Sequence, residues 1–424
     1  MLKQIILKEI ADQVHKLRFL LTASITILLF LACSISFLLQ YRQISVEYES
    51  PQQLAKSTLE NDNLTLDRFV RSDFSILQRP QPLWFCVDGG SDMLPNEFRV
   101  GSMYFQEIYP SFHQSRANPL LEKIGTADWV FIITLFISFT AFVLSYDGFS
   151  GEKEDGTLRL ILSNSIPRHQ VLIGKFLGIF FTALIPLIAG QLLSTIIIQF
   201  SNLVILQGAD WLRIILVAFL SWLFIGVIIC VGLFISALTH RSSTSLVVIL
   251  FVWIMMTIFI PRSSGTLSQV FYDLPRREEI NQQANRALTD AYEKMRHVDR
   301  YYSKIDRARM QVDALKLRAQ IRLNYRHQKF EQIKLAMSLA RISPVSTFQY
   351  AAESIAAVGL TYHKHLLDRL IVYHQQLDDF VLSEERRISD DPKGLISNRT
   401  IERKPFNIRA IPIFQEQPIP IQQS

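Results

Sequence analysis

Five nearly charge-free apolar runs divide this chain of 424 residues: 17–39, 129–146, 176–200, 211–238 and 245–260. A hydrocarbon layer about 30 Å thick asks about 20 such residues of a helix, since each residue adds about 1.5 Å. Inside that layer no water satisfies a backbone N–H or C=O, so an isolated run must bond its own backbone as a helix. The chain is therefore predicted to be a mainly α, polytopic membrane protein with five transmembrane helices and a largely helical extracytoplasmic domain. The apolar fraction of 49%, with 29 Phe, is concentrated in those runs.

The first run follows a basic start, as in a cleaved signal peptide, but it is too long and no small-residue cleavage site follows it. Leu31-Ala32-Cys33 faintly resembles a lipoprotein site, yet residues 34–39 stay apolar, so the run is read as a span. In the third run Pro186 and Gly190 predict a kink. Cys33 and Cys230 sit inside apolar runs and Cys86 stands by itself in a polar segment, so no disulfide between aqueous regions is expected. A net charge of +6 would suit nucleic acid. The Lys and Arg residues instead flank the spans, and no basic tail or aromatic–basic motif occurs; no nucleic-acid partner is expected.

Short segments set the orientation. Residues 1–18 carry Lys3, Lys8, Lys16 and Arg18, residues 147–175 carry Lys153, Arg159, Arg168 and Lys175, and the turn after the fourth run carries His240 and Arg241. With five spans these segments share one side, which the positive-inside rule makes cytoplasmic. Arg213 falls at the opposite interface, where an arginine can snorkel. The expected place is a cell membrane, a bacterial inner membrane, crossed several times with the N-terminus cytoplasmic. Residues 2–17 put Leu2, Ile5, Ile6, Ile10, Val14 and Leu17 on one helical stripe with Lys3, Lys8, Asp12 and Lys16 off it, which predicts an interfacial helix over 1–16 feeding into the first span; the alternative is a simple extension of that span.

Residues 40–128 are too long for a connection and are expected to form the first part of an extracytoplasmic domain. Residues 262–424 form the second. Within them, 276–343 lack Gly and Pro and are rich in helix formers, which predicts a long helix, bent or folded as a hairpin, between Pro275 and Pro344. Helices are also expected over 346–358 and 365–387, and the tail after Asp391 is weakly patterned.

Residues 147–175 are a short charged segment wedged between two apolar runs, containing E-K-E-D-G-T-L. Acids just ahead of a Gly-Thr turn can cap the following helix and complement its dipole. Gly156 permits a backbone geometry that other residues resist. Exposed charges there can also pair with a partner's basic groups.

The residues Glu152, Glu154, Gly156, Thr157, Leu158 and Leu162, then Pro167-Arg168 and Gly174-Lys175, resemble the cytoplasmic loop of type-2 ABC transporter permeases, the ABC-2 exporter family. Residues 340–349, A-R-I-S-P-V-S-T-F-Q, followed by Ala-Ala-Glu-Ser, are similar to a subgroup with large extracytoplasmic domains. The resemblance implies a coupling helix that docks on a separate ABC ATPase subunit, with Glu152, Glu154, Gly156, Thr157, Leu158, Pro167 and Arg168 as the coupling residues. It implies that ATP is bound by that partner, with no cofactor on this chain. It also implies pairing with a second permease copy as a homodimer, or with a related permease, and transport outward. Family members usually have six spans; five are found before Ser424.

No G-x-x-x-x-G-K-[ST] is present, since Gly174-Lys175 is followed by Phe176 and begins a span. His363, His365 and His374 lack an accompanying Asp, Glu or Cys cluster and are expected to be exposed helix histidines rather than a zinc site. The Asp378-Asp379 and Glu384-Glu385 pairs read as solvated helix charges. No Asp or Glu falls inside a run, which argues against an ion-coupled carrier. The expected function is a permease subunit, not itself an enzyme, that couples a partner's ATP hydrolysis to export. The alternative is a component that passes ATPase motion to extracytoplasmic partners without transport. A membrane-anchored enzyme is a third reading, and no catalytic constellation supports it.

Overall fold

The computed structural model describes residues 2–59, 69, 73–90, 94–101, 108–111, 127–163, 167–297, 304–388, 410–414 and 416. The expected tail after Asp391 lies outside them except for 410–414 and 416. Five helices are long and apolar enough to cross a membrane: Leu17–Tyr48, Trp129–Glu154, Arg168–Phe200, Gly208–Leu238 and Ser242–Phe271. The protein is a mainly α polytopic membrane protein.

In chain order the bundle begins with α1 (Leu2–Val14) and α2 (Leu17–Leu59). The second span, α3, is continuous through Trp129–Phe131, a π segment Ile132–Ile137 and Ser138–Ser145. Two short helices follow, α4 (Ser150–Glu154) and α5 (Thr157–Ser163), then α6 (Arg168–Phe200) and α7 (Gly208–Leu238). The fifth span, α8, joins Ser242–Ile254, a π segment Met255–Phe259 and Ile260–Phe271. Pro261 lacks the N–H that would bond the carbonyl four residues back, and the widened π turn just before it lets the helix continue past the proline.

Hydroxyls and indoles tie the spans together. The Ser34 hydroxyl donates to Ser194 Oγ at 2.7 Å, and Trp129 Nε1 donates to the same oxygen at 2.9 Å, joining α2, α6 and α3. Trp222 Nε1 donates to Gln191 Oε1 at 3.3 Å and Trp253 Nε1 to Ser138 Oγ at 3.0 Å. Each such bond contributes about 0.6 kcal/mol in a membrane, so packing of Phe30, Phe142, Ile179, Leu187 and Ile225 carries more of the bundle's cohesion.

Beyond the bundle, α9 (Arg277–His297) and α10 (Lys304–Ala340) pack against each other, followed by α11 (Pro344–Ala356) and α12 (Gly359–Ile388). The Gly- and Pro-free stretch is thus divided into two helices. A three-stranded antiparallel sheet, β1 (Asp73–Leu77), β2 (Glu97–Gly101) and β3 (Tyr109–Ser111), lies in that order. A second core joins Phe98 and Val100 of the sheet to Leu366, Leu370, Leu377 and Val381, a helix-period stripe of α12. His363, expected to be exposed, is buried on that stripe with its ring 5.7 Å from Phe98. Glu384, expected to be solvated, is also buried and accepts from Arg387 Nε at 3.2 Å and from Arg387 Nη2 at 2.7 Å. No cluster of three or more His, Cys, Asp or Glu placed to hold a metal occurs among the described residues.

Helix α11 packs on α7 and touches α8, inside the bundle. Ser343 caps it, its hydroxyl oxygen accepting from Val345 N, with Pro344 at the first helical position. Ala357 in the left-handed conformation ends it.

Candidate functional site

The charged segment between the second and third spans is built from Tyr146 to Arg168. Backbone N–H groups of Phe149 and Ser150 both donate to Ser236 Oγ at 3.0 Å, which satisfies the start of α4 from the neighbouring α7. Helix α4 lasts five residues, and Gly156, at φ +73°, turns the chain into α5. A Cβ there would meet nothing within 4 Å, so the turn asks for glycine through its backbone angle and not through crowding. The Thr157 hydroxyl closes the turn on Glu152 O at 3.4 Å.

Three consecutive charged side chains of α4 reach three different places. Glu152 Oε1 accepts from Lys175 Nζ at 2.7 Å on α6, and the same ammonium lies 3.8 Å from Glu9 Oε2 on α1 and 5.5 Å from the Phe149 ring centroid. Lys175 is only 5% exposed at its side chain, so its charge is held by those two carboxylates. Lys153 Nζ donates to Ala237 O and Thr239 O, at the carbonyl end of α7, where a cation complements the helix dipole. Glu154 Oε2 accepts from Ser242 N at 3.0 Å, at the N–H end of α8, where an anion does the same. One turn earlier Arg18 pairs with Asp147 at 2.8 Å and lies over the Tyr146 ring, fixing the start of α2 to the end of α3.

The acids at 152 and 154 therefore bind helices α6 and α8 of their own chain rather than capping α5. Leu158 is half-buried, while Gly156, Thr157, Pro167 and Arg168 are exposed, as is Leu160 at 69%. Pro167 sits in extended conformation directly before α6, and Arg168 is the first residue of that helix. The third-span helix thus starts at Arg168, and the last part of the charged segment, including Gly174 and Lys175, is helical. The side chain of Leu162 and residues 164–166 lie outside the described part.

Helix α1 is drawn into the same site. Its Ile6-Glu9-Gln13 side packs along α6, where Gly178 approaches so closely that a Cβ would stand 2.5 Å from Glu9 Cβ. Gln13 is buried there, so the face turned to protein includes polar residues and is not the purely apolar stripe. Lys153 and Arg18 were visible in the sequence as basic flanks of spans; their partners are distant in sequence and carried no local signal.

The family model described as ABC-2 family transporter protein matches residues 4–381, nearly the whole chain. A 47-residue stretch is 45% identical to the probable ABC transporter permease protein NosY of Pseudomonas aeruginosa, covering 11% of this chain and 17% of that relative. The match to the relative is thus a segment, whereas the family match takes in the bundle, the charged segment and most of the helical domain. This multi-pass membrane chain belongs to the ABC-2 transporter family and is a transmembrane permease-type subunit.

Proposed function

We propose that the chain couples ATP hydrolysis by a separate ABC ATPase subunit to export of a substrate across a cell membrane. In this reading the N-terminus and residues 147–175 are cytoplasmic, and residues 40–128 and 262–424 are extracytoplasmic except where the 341–356 stretch dips back between the spans. A second copy, or a related permease, completes the transporter. The observation that carries the proposal is the division of labour in the charged segment. Glu152, Lys153 and Glu154 grip α6, α7 and α8, with α1 tied in through Lys175, while the turn at Gly156-Thr157, Leu160 and the Pro167-Arg168 corner stand exposed. A partner pressing on that exposed corner moves the ends of α6, α7 and α8 together, because each is bonded to the same five-residue helix, and α1 follows through the Lys175–Glu9 pair. Glu152 and Glu154 act in coupling by transmitting force, and Gly156, Thr157, Leu158, Pro167 and Arg168 shape the docking corner. ATP belongs to the partner subunit.

The alternative, motion passed to extracytoplasmic partners without transport, draws support from α11, which seats the domain beyond the bundle against α7 and α8. Purification in mild detergent, mass spectrometry of co-purifying chains and an ATPase assay test the proposal. It expects a stoichiometric ABC ATPase with measurable hydrolysis. A chain that purifies by itself and without ATPase activity contradicts it, and ATPase stimulation by a transported compound separates export from motion transfer.

A further inference from the structure

The sequence A-R-I-S-P at 340–344 forms the turn between α10 and α11, and its depth is unusual for a charged segment. The Ser343 hydroxyl donates to Met256 O at 2.6 Å, and the Phe348 ring stacks on Phe224 at 4.6 Å between centroids. Phe224 stands at the midpoint of α7, and Met256 lies four residues before the outer end of the apolar run 245–260 in α8, both spans. The turn therefore dips between the spans into the outer half of the apolar layer and α11 climbs back out. Its inner side is fixed by Val345, Phe348 and Ala352, all buried in the bundle core. Its outer side presents Arg341, exposed, and Ile342, 74% exposed.

An ionised side chain at that depth is costly unless it meets an opposite charge or water. The backbone of Arg341 is satisfied, its N–H bonded to Met337 O and its carbonyl accepting from the Thr347 hydroxyl. The described residues offer its guanidinium no hydrogen bond or ion pair, although its charge reaches the Tyr350 phenol. A guanidinium beside an exposed isoleucine matches a molecule with an anionic, planar-forked head and an apolar tail.

We propose that the 341–343 turn is a binding site for an anionic amphiphile, a phosphate or carboxylate headgroup on an acyl chain, with Arg341 holding the head and Ile342 against the tail. Binding at this place is independent of the permease reading; that the bound molecule is the cargo rests on it.

The full chain is reconstituted in phosphatidylcholine nanodiscs doped with photoactivatable phosphatidic acid or with the matched photoactivatable phosphatidylcholine, and cross-links are mapped by mass spectrometry. The proposal expects the anionic probe to label residues around 341–343 about fivefold over the zwitterionic one. Arg341→Gln abolishes that preference and Arg341→Lys retains part of it. Equal labelling by both probes, or a preference that survives Arg341→Gln, identifies ordinary boundary lipid and overturns the site. Competition by inorganic phosphate alone at equal concentration identifies a free-phosphate site and overturns the amphiphile. No ATPase is present in this assay, so its failure leaves the coupling proposal standing, while failure of the co-purification test leaves this site standing.

Discussion

The bundle is fastened to its two appended regions by opposite means. At the charged end, α4 is held by ion pairs and helix-end contacts: Glu152 to Lys175, Lys153 to the carbonyls after α7, Glu154 to the start of α8. At the other attachment, α11 is held by apolar burial around Phe348, Val345 and Ala352 with one hydroxyl bond from Ser343. Charge contacts are directional and reach far along side chains, so a short helix can bind several neighbours at once and move them as a unit. Apolar packing is non-directional and close, so it seats one helix firmly against its neighbours. The difference suits a force-collecting corner at one end and a fixed seat at the other.

The largest expected effect follows from breaking the charged end. Glu152→Lys leaves Lys175 facing a like charge in a site with little water, at a cost of about 3 kcal/mol. Partner ATPase activity is expected to uncouple from the membrane subunit while the chain remains inserted; unchanged coupling means that Glu152 is not the link. Phe348→Ala removes a buried ring at the other attachment and is expected to cost about 3 kcal/mol, read as earlier thermal unfolding, with ATPase docking intact. Equal damage to docking by Phe348→Ala would show that the two attachments are one cooperative unit.

Gly156→Ala forces a Cβ into the left-handed backbone and is expected to cost about 1 kcal/mol and to weaken coupling partly, with the open space around it excluding a clash. Leu160→Asp changes an exposed side chain and is expected to shift stability by less than about 0.5 kcal/mol while lowering co-purification of the ATPase. Retention of the partner would place docking elsewhere on the exposed corner.

A separate effect, confined to low pH, is a pH dependence in the domain beyond the bundle. Burial, helped by the Arg326 charge, pulls His363 from its ordinary 6.5 down to about 4. The unfolded chain takes up that proton first as pH falls, so the stabilisation is complete above about 6.5 and declines towards pH 4. The protection factors of α12 amides, corrected for intrinsic exchange, should fall as pH drops across that window, and His363→Phe should flatten the dependence; an unchanged profile in the variant assigns it to another group.

The spans were legible because apolar length is a property of composition alone. The Gly156-Thr157 turn was legible because a left-handed backbone leaves a glycine in the sequence. What that turn's acids bind was not legible: Lys175 lies on the next span, and nothing near Glu152 distinguishes an internal ion pair from a docking charge. The seat of α11 was hidden for a similar reason. Its Ser-Pro start, alanines and single Phe are those of an ordinary surface helix, and only tertiary packing reveals that Phe348 meets Phe224 in mid-span. Nothing local marks His363 as buried, since its neighbours in sequence, Lys364 and His365, are polar; its burial is set by β2, which contributes Phe98 from far away.

Glu152 is proposed to couple through Lys175 within the chain and not by touching the partner. That link is tested most directly by the charge-swapped double variant, Glu152→Lys with Lys175→Glu, measured for ATPase coupling beside each single variant. Loss in both single variants and partial recovery of coupling in the double variant, limited because Glu9 then faces a like charge at position 175, is the predicted result. Loss in the double variant as deep as in Glu152→Lys alone, with the ATPase no longer bound, would contradict the account and place Glu152 on the docking surface itself.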